Sequence, residues 1–547
     1  MSSQFPVAAA SAHAHSLLVR EIFESARATA SPHAIVHQGR RLRYAEFFER
    51  VRRLARALAN LGVREGDTVA VMDWDSHRYL EAFFAVPMMG AVLQTVNVRL
   101  SPEQIAYTLN DAGAGVLLIH DDFVPILGSM RAQLQTVRRC VSLTDQPGGG
   151  RSGPDGEYEA LLSRADAGFD FPDLDEQTRA TTFYTTGTTG RPKGVYFSHR
   201  QLVLHTLATA AALGSPFAQG RLHRADVYMP MTPMFHVHAW GLPYVATLLG
   251  LQQIYPGRYQ PEELLRLIRD EKVTFSHSVP TILHMLLNHP DAAATDLTRL
   301  TMIIGGSALP QGLAQAALDR GIDVFTGYGM SETCPILTLA QLRGPAGGAG
   351  DPLRDRTRTG YAIPLVALRV VDEQLRDVPH DGASMGEVVV RAPWLTQGYL
   401  HDAEASEALW RGGWLHTGDI GALDERGMLT VTDRLKDVIK TGGEWVSSLA
   451  LEDLISQDPS VSEVAVVAAP DERWGERPLA MIVLKPGQAP DAARIRALVQ
   501  AQVDAGRLSR YAVPDEVRFV DSLPRTSVGK LNKRAMRDEL RGGGQGA

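Results

Sequence analysis

Eleven consecutive residues, Tyr184-Thr185-Thr186-Gly187-Thr188-Thr189-Gly190-Arg191-Pro192-Lys193-Gly194, combine four threonine hydroxyls, three glycines and one lysine. Glycine lets a backbone approach an anion closely and reach positive φ, so main-chain N–H groups can point at phosphate oxygens. The pattern differs from a Walker A loop, because here the lysine precedes its glycine. Thr181-Thr182-Phe183 and Val195-Tyr196-Phe197-Ser198 read as flanking strands, which predicts a β-hairpin carrying this loop at its tip. Lysine is otherwise scarce. Only seven of the 55 basic residues are lysine, and five of those fall near 193, at 436 and 440, and at 530 and 533. Retention of a compact ammonium in a chain that elsewhere writes arginine points to these segments.

Five further segments could do chemistry. Gly327-Tyr328-Gly329-Met330-Ser331-Glu332-Thr333 follows the apolar strand Ile322 to Phe325, the edge at which an open α/β sheet holds ligands. Its glycines leave room for a planar ring, Tyr328 can stack on it, and Glu332 can hold a divalent cation. Trp414-Leu415-His416-Thr417-Gly418-Asp419 offers a carboxylate suited to a ribose diol, against the plainer reading of Asp419 as a turn residue. Asp433 to Trp445 is rich in charge and glycine and carries Arg434, Lys436 and Lys440, while Pro524 to Lys530 is another small-residue loop ending in lysine. Met234-Phe235-His236-Val237-His238-Ala239-Trp240 places two histidines two apart. On a strand they would share a face, but no third ligand for zinc is evident nearby.

The elements that must position these residues follow from periodicity. Helical patterns span Tyr44 to Leu61, closed by Gly62, and His77 to Met89; strand patterns span Thr68 to Met72, Val92 to Asn97 and Val116 to His120. Ser101-Pro102-Glu103 reads as an N-cap with proline at the first helical position. Such alternation predicts an α/β fold with a largely parallel sheet. At 547 residues the chain exceeds one core. The pattern changes near 433, giving an N-terminal domain over 1–432 and a compact α+β domain over 433–547, with strands near 464–468, 479–484 and 517–520 and a helix from Asp491. A net charge of −7 without a basic block disfavours nucleic acid. The two cysteines, Cys140 and Cys334, build no disulfide framework and fit a reducing cytosol. The N-terminus lacks the basic start and continuous apolar run of a secretory signal. The most apolar stretch, Ala239 to Leu251, is too short and too glycine-broken to span a bilayer.

Taken in order, these motifs resemble the adenylate-forming superfamily of acyl-CoA synthetases, firefly luciferase and peptide-synthetase adenylation domains, over nearly the whole chain. The resemblance implies a large N-terminal domain and a small C-terminal one that rotates between two half-reactions, with ATP, Mg²⁺ and CoA as reactants. It implies that Thr185, Thr186, Gly187, Thr188, Thr189, Gly190 and Lys193 hold the β/γ-phosphates, with Thr185 and Glu332 on Mg²⁺. Gly306, Ser307, Gly327 and Tyr328 would form the adenine slot, Ser331 would reach the α-phosphate and Asp419 the ribose. Arg434 and Lys436 would contact the nucleotide, with Lys436 at the hinge. Lys530 would serve adenylation, and Lys440 to Trp445 would line the nucleotide site or thiol channel according to the rotation. His236, Trp240, Gly305 and Met330 would line the acid site, His236 lying between acid pocket and thiol channel.

The acid follows from two positions. Amino-acid-activating relatives carry aspartate where this chain has His236, which argues against amino acids. Trp240, with Gly442 to Ser448, resembles medium- and long-chain fatty acyl-CoA synthetases and methylmercaptopropionate-CoA ligases, in which a matching tryptophan gates the acyl tunnel; a plain core tryptophan is the alternative. The expectation is an ATP- and Mg²⁺-dependent acid:CoA ligase for an apolar monocarboxylate of medium to long chain, cytoplasmic, without an integral membrane segment, and open to homodimer formation. A short thioether acid or an aryl acid is the alternative substrate. Luciferase-like oxidation, non-enzymatic nucleotide binding and a carrier-protein adenylation module are rival classes, the last disfavoured on the expectation that no carrier-like segment with a modifiable serine follows residue 547.

Overall fold

Strands buried on both faces and helices with one apolar face alternate along the first half of the chain, and they stack as the alternation requires. The computed structural model describes residues 11–13, 15–145, 155–185, 191–215, 221–342, 351–441, 444–506, 508–525 and 531–542. One six-stranded sheet runs in the order Arg139–Leu143, Ala114–His120, Thr68–Met72, Val92–Thr95, Arg179–Thr185, Lys193–Ser198, parallel except for the last antiparallel pair. That pair is the expected hairpin, pairing Thr185 with Lys193.

A nine-stranded sheet interleaves distant segments, with Ala34–His37 beside Gln252–Tyr255, and then Val227–Met231, Phe275–Ser278, Thr301–Ile304 and Asp323–Gly329 as parallel neighbours. The helix His77–Met88 is buried on every side. It touches Thr68–Met72, Val92–Thr95 and Arg179–Thr185 of one sheet and Ala34–His37 of the other, the setting that an all-round buried helix needs. Its charged members are paired, Glu81 with Arg50 at 2.6 Å and Arg78 with Asp145 at 2.6 Å. Ser101 caps Pro102–Asp111 as expected, its Oγ accepting from Gln104 N.

A four-stranded antiparallel sheet, Ala367–Val371, Gly386–Arg391, Leu415–Leu423 and Leu429–Arg434, follows. After a turn at 435–438 a five-stranded sheet forms the smaller C-terminal domain around Val461–Asp471 and Gly475–Leu484, with helices Ser448–Ser456 and Ala492–Asp504 packed on it.

Two segments depart from the sequence reading. The glycines at 327 and 329 lie within a strand, Asp323–Gly329, which runs on past Phe325 where the sequence reading ended it. Gly327 pairs antiparallel with Leu339, and a Cβ on Gly329 would stand 1.7 Å from the Pro335 carbonyl oxygen, so close strand approach demands glycine there. His236 and His238 are not on a strand and do not share a face. Val237, His238, Ala239 and Trp240 all have positive φ, from +47° to +59°, and form a left-handed turn that exposes His236 and buries His238.

Candidate functional site

A cleft of about 750 Å³ opens where the hairpin, the short turn Ser331–Thr333 and the turn after Arg434 meet; its lining includes Thr185, Lys193, Glu332, Gly418, Arg434 and Lys436. Residues 186–190, expected at the phosphates, and Lys530, expected to serve adenylation, lie outside the described residues. Lys193 stands at the hairpin's C-terminal foot. Its ammonium is 3.3 Å from Asp402 and 4.7 Å from the ring centre of Tyr399, which holds a cation at the mouth. The Tyr399 hydroxyl donates to Glu332 Oε1 at 2.7 Å. Glu332 is buried, and burial raises its pKa even though Tyr399 and Arg434 favour the charged form.

Behind it, Asp419 accepts from the Tyr328 hydroxyl at 2.6 Å and from Arg434 Nε at 2.7 Å. Burial raises the Asp419 pKa against the pull of Arg434. A diol arriving at this carboxylate would share it with these two donors. Gly306 sits in left-handed backbone at φ +77°, with Ser307 exposed beside it. Ser331 is half-buried beside Glu332 on the short 3₁₀ turn Ser331–Thr333.

Lys436 lies in the turn whose Asp437 and Val438 N–H groups both donate to the Arg434 carbonyl at 2.8 Å. Surrounding protein lowers the Lys436 pKa, opposed by Asp437. Lys440, on Ile439–Thr441, is directed elsewhere: its ammonium is 3.2 Å from Glu373 and 5.3 Å from the Trp445 ring, and neither residue lines this cleft. Lys533 has a structural place, buried between Glu452 and Ser448 at 2.7 Å from each, and Ser448 in turn donates to Asp433.

The left-handed turn presents the expected acid-site residues. Such backbone costs about 1–2 kcal/mol per residue and persists only where surroundings over-determine it. Here Met234 N donates to Asp75 at 2.8 Å, Thr95 Oγ1 to the Phe235 carbonyl at 2.9 Å, and His238 Nε2 meets Thr181 Oγ1 at 2.7 Å. Trp240 is buried to 6% exposure. Its ring lies against Gly305, where a Cβ would come within 3.0 Å of Trp240 Cη2 and 2.6 Å of the Gly327 carbonyl oxygen. Met330 is half-buried at the end of the same sheet.

Mg²⁺ fits the donors present. Glu332 and Thr185 offer oxygen only, and Glu332 is a buried carboxylate whose charge a cation would compensate. Among the described residues no cluster of three His, Cys, Asp or Glu could form an all-protein cage.

The sequence reading missed Tyr399, Asp402, Asp111 and Tyr107, all of which line the cleft. Each is an ordinary residue in its local context, brought in by tertiary pairing: the Tyr184 hydroxyl donates to Asp111 at 2.7 Å, and Leu400 N to the Gly194 carbonyl at 2.8 Å. Among the described residues no helix is long and apolar enough to cross a membrane.

Comparison with known proteins places these features in a family. The family profile described as AMP-binding enzyme matches residues 22–400, and that described as AMP-binding enzyme C-terminal domain matches 450–530. The chain is 42% identical over 509 residues to a long-chain-fatty-acid–CoA ligase of Thermus thermophilus, covering 92% of this chain and 90% of that protein. It is 36% identical over 505 residues to a 3-methylmercaptopropionyl-CoA ligase of Ruegeria pomeroyi, covering 91% and 92%. Among solved structures, an anthranilate CoA ligase in complex with anthranoyl-AMP matches with a TM-score of 0.80 at 26% identity, over 96% of this chain and 97% of that chain.

Proposed function

The chain belongs to the AMP-binding enzyme family and is an AMP-forming acyl-CoA synthetase; from that premise we propose that its acid is an apolar monocarboxylate of medium to long chain. The observation that carries this reading is the buried Trp240 indole against Gly305. His236, where a carboxylate would be needed to pair with an ammonium, supports the exclusion of amino acids. The name of the Ruegeria relative supports a short thioether acid as the second reading.

In the proposed mechanism a carboxylate oxygen attacks the ATP α-phosphorus and the bond to the β-phosphate breaks, releasing pyrophosphate. The CoA thiol then attacks the acyl carbon and AMP leaves with the bridging oxygen. Negative charge gathers at the phosphates, so preorganised cations are the main catalytic means. Lys193 and Arg434 at the cleft, and Lys436 at its edge, supply that charge, and Lys530 is assigned to the first step. Thr185 and Glu332 would hold Mg²⁺, which supplies charge neutralisation at the phosphates when bound. Asp419 orients the ribose, and Gly306, Ser307, Gly327 and Tyr328 the adenine.

The expected boundary between 432 and 433 falls inside the strand Leu429–Arg434, and the chain changes sheet between Arg434 and Ile439, so we place the domain boundary in the turn at 435–438. Lys436 is the hinge of this reading, and Lys440 to Trp445 the segment that rotation brings in. A cytoplasmic location is supported by two buried free cysteines, and light scattering tests the homodimer expectation. The substrate test is a panel of acids of increasing length, assayed by pyrophosphate release with and without CoA. A maximum among medium or long saturated acids is expected. Preference for acids with an α-ammonium, or no acid-dependent release, would overturn the reading.

A further inference from the structure

The strand Leu429–Arg434 ends just before the turn at 435–438, and the helix Ser448–Ser456 belongs to the domain that follows it. The two are bonded directly across that turn. Asp433, 1% exposed, accepts through Oδ2 from Ser448 N at 2.5 Å and from Ser448 Oγ at 2.6 Å, while its Oδ1 accepts from Arg434 N at 2.7 Å. Ser447, which caps the helix by accepting from Ala450 N, donates its hydroxyl to the Thr432 carbonyl at 2.6 Å. Ser448 Oγ in turn accepts from Lys533 Nζ at 2.7 Å, and Lys533 is paired with Glu452 of the same helix. The residue three positions after Lys530 is therefore two hydrogen bonds from Asp433, whose neighbour Arg434 lines the cleft.

Charge makes this contact a strong one. The Asp433 carboxylate lies at the N-terminus of the helix, where free N–H groups and the helix dipole favour an anion, and bonds to an ionised acceptor are stronger than neutral ones. A rotation that carries the helix away strips this buried carboxylate of both donors that Ser448 supplies, which is costly until water or new donors replace them. The Lys440–Glu373 ion pair also joins the two domains, but its side chains are 46% and 68% exposed, and pairs so exposed contribute little. The hold on this orientation thus lies at Asp433 and Ser448. It leaves Lys440 and Trp445 outside the lining of the cleft.

We propose that Asp433 and Ser448 are positioning residues that latch the C-terminal domain in its orientation for acyl-AMP formation, and that thioester formation requires the latch to open. The inference rests on the reading of Lys436 as a hinge between two half-reactions. In the latched state the chain just after Lys530 is tied, through Lys533 and Ser448, to the strand that carries Arg434. Opening frees the helix, and with it the segment Lys440 to Trp445, to move toward the cleft.

The test reads orientation and chemistry separately. Glu425→Cys and Ala489→Cys, both at exposed positions and one in each domain, carry a dye pair, the native Cys140 and Cys334 being buried. Single-molecule energy transfer is recorded with acid and a non-hydrolysable ATP analogue, and again with a stable acyl-AMP analogue and CoA. Acyl-AMP formation without CoA and thioester formation from supplied acyl-AMP are timed in parallel. In wild type the label separation of this structure is expected to dominate in the first condition and to give way in the second. Ser448→Ala keeps the Ser448 N–H bond, and Asp433→Asn keeps an acceptor for it, so both variants should fold. Each is expected to thin the latched population and to lower acyl-AMP formation relative to thioester formation by about tenfold, equivalent to about 1.4 kcal/mol. Unchanged populations with an unchanged ratio, equal loss in both half-reactions, or a ratio moved toward acyl-AMP formation would each overturn the latch while the rotation stands. If the wild-type separation is the same in both conditions, the rotation reading falls and the latch with it.

Discussion

Trp240 offers a test in which backbone and side chain pull in distinguishable directions. Replacing a buried indole with alanine costs about 3–5 kcal/mol through lost burial and the cavity left behind. At φ +59°, alanine also keeps the left-handed cost of an L-residue, about 1–2 kcal/mol. Glycine loses the same indole but not that cost, and gives back about 0.5–1 kcal/mol as its own entropic penalty. Trp240→Gly should therefore be more stable than Trp240→Ala by roughly 0.5–1 kcal/mol, the reverse of the order found inside ordinary helices. In a chain of this size that is a melting difference of about 0.5–1 °C, measurable by replicate scanning fluorimetry on both variants under one condition. Space opened against Gly305 should also move the acid optimum toward longer chains. Each added methylene that finds apolar cover is worth about 0.8 kcal/mol, roughly fourfold in kcat/KM, and the apparent affinity for ATP should stay near wild type. Alanine equal to or better than glycine would refute the strain argument. An unmoved chain-length profile would return Trp240 to a purely structural role.

Three further outcomes are expected. Lys530→Ala should slow acyl-AMP formation by about 10²-fold or more while supplied acyl-AMP is still converted to thioester, and equal loss in both steps would remove the assigned role. Lys436→Pro should change the ratio of the two half-reaction rates by more than about tenfold, because proline is disfavoured within a turn closed onto the Arg434 carbonyl and also restricts Leu435; an unchanged ratio would move the hinge elsewhere. Asp75 holds Met234 N and the Tyr259 hydroxyl, and burial raises its carboxyl to about 7. Its folded pKa exceeds the unfolded one, so its contribution to stability is full below about pH 4 and is lost as pH rises through about 7, by roughly 3–5 kcal/mol in all. Asp75→Asn keeps an acceptor for Met234 and a partner for Tyr259, so melting temperature should lose this pH slope. The same slope in wild type and variant would refute the assignment.

Strands of the six-stranded sheet were legible because parallel strands covered on both faces are written as apolar runs, as in Thr68–Met72 and Ala114–His120. The hairpin at 185–193 and the cap at Ser101 were legible for local reasons, glycine and threonine between apolar segments in one case and serine before proline in the other. The left-handed turn at 237–240 was not, since no residue in it favours positive φ. Its conformation is imposed by Asp75, Thr95 and Thr181, all distant along the chain. The cleft shows the same division. Thr185, Lys193, Glu332, Arg434 and Lys436 stand out as motif residues, and the structure brings them to one cleft. Tyr399 and Asp402 join them only through the pairing of Leu400 with Gly194 and through contacts with Glu332 and Lys193, for which the local sequence has no sign.

Attack of the carboxylate on the α-phosphorus is the central claim, and isotope transfer tests it most directly. The best acid from the panel, labelled with ¹⁸O in its carboxyl group, is turned over with ATP, Mg²⁺ and CoA, and the nucleotide product is analysed by mass spectrometry. AMP carrying one labelled oxygen, with unlabelled pyrophosphate, is the predicted result. Unlabelled AMP, or ADP as the nucleotide product, would contradict it.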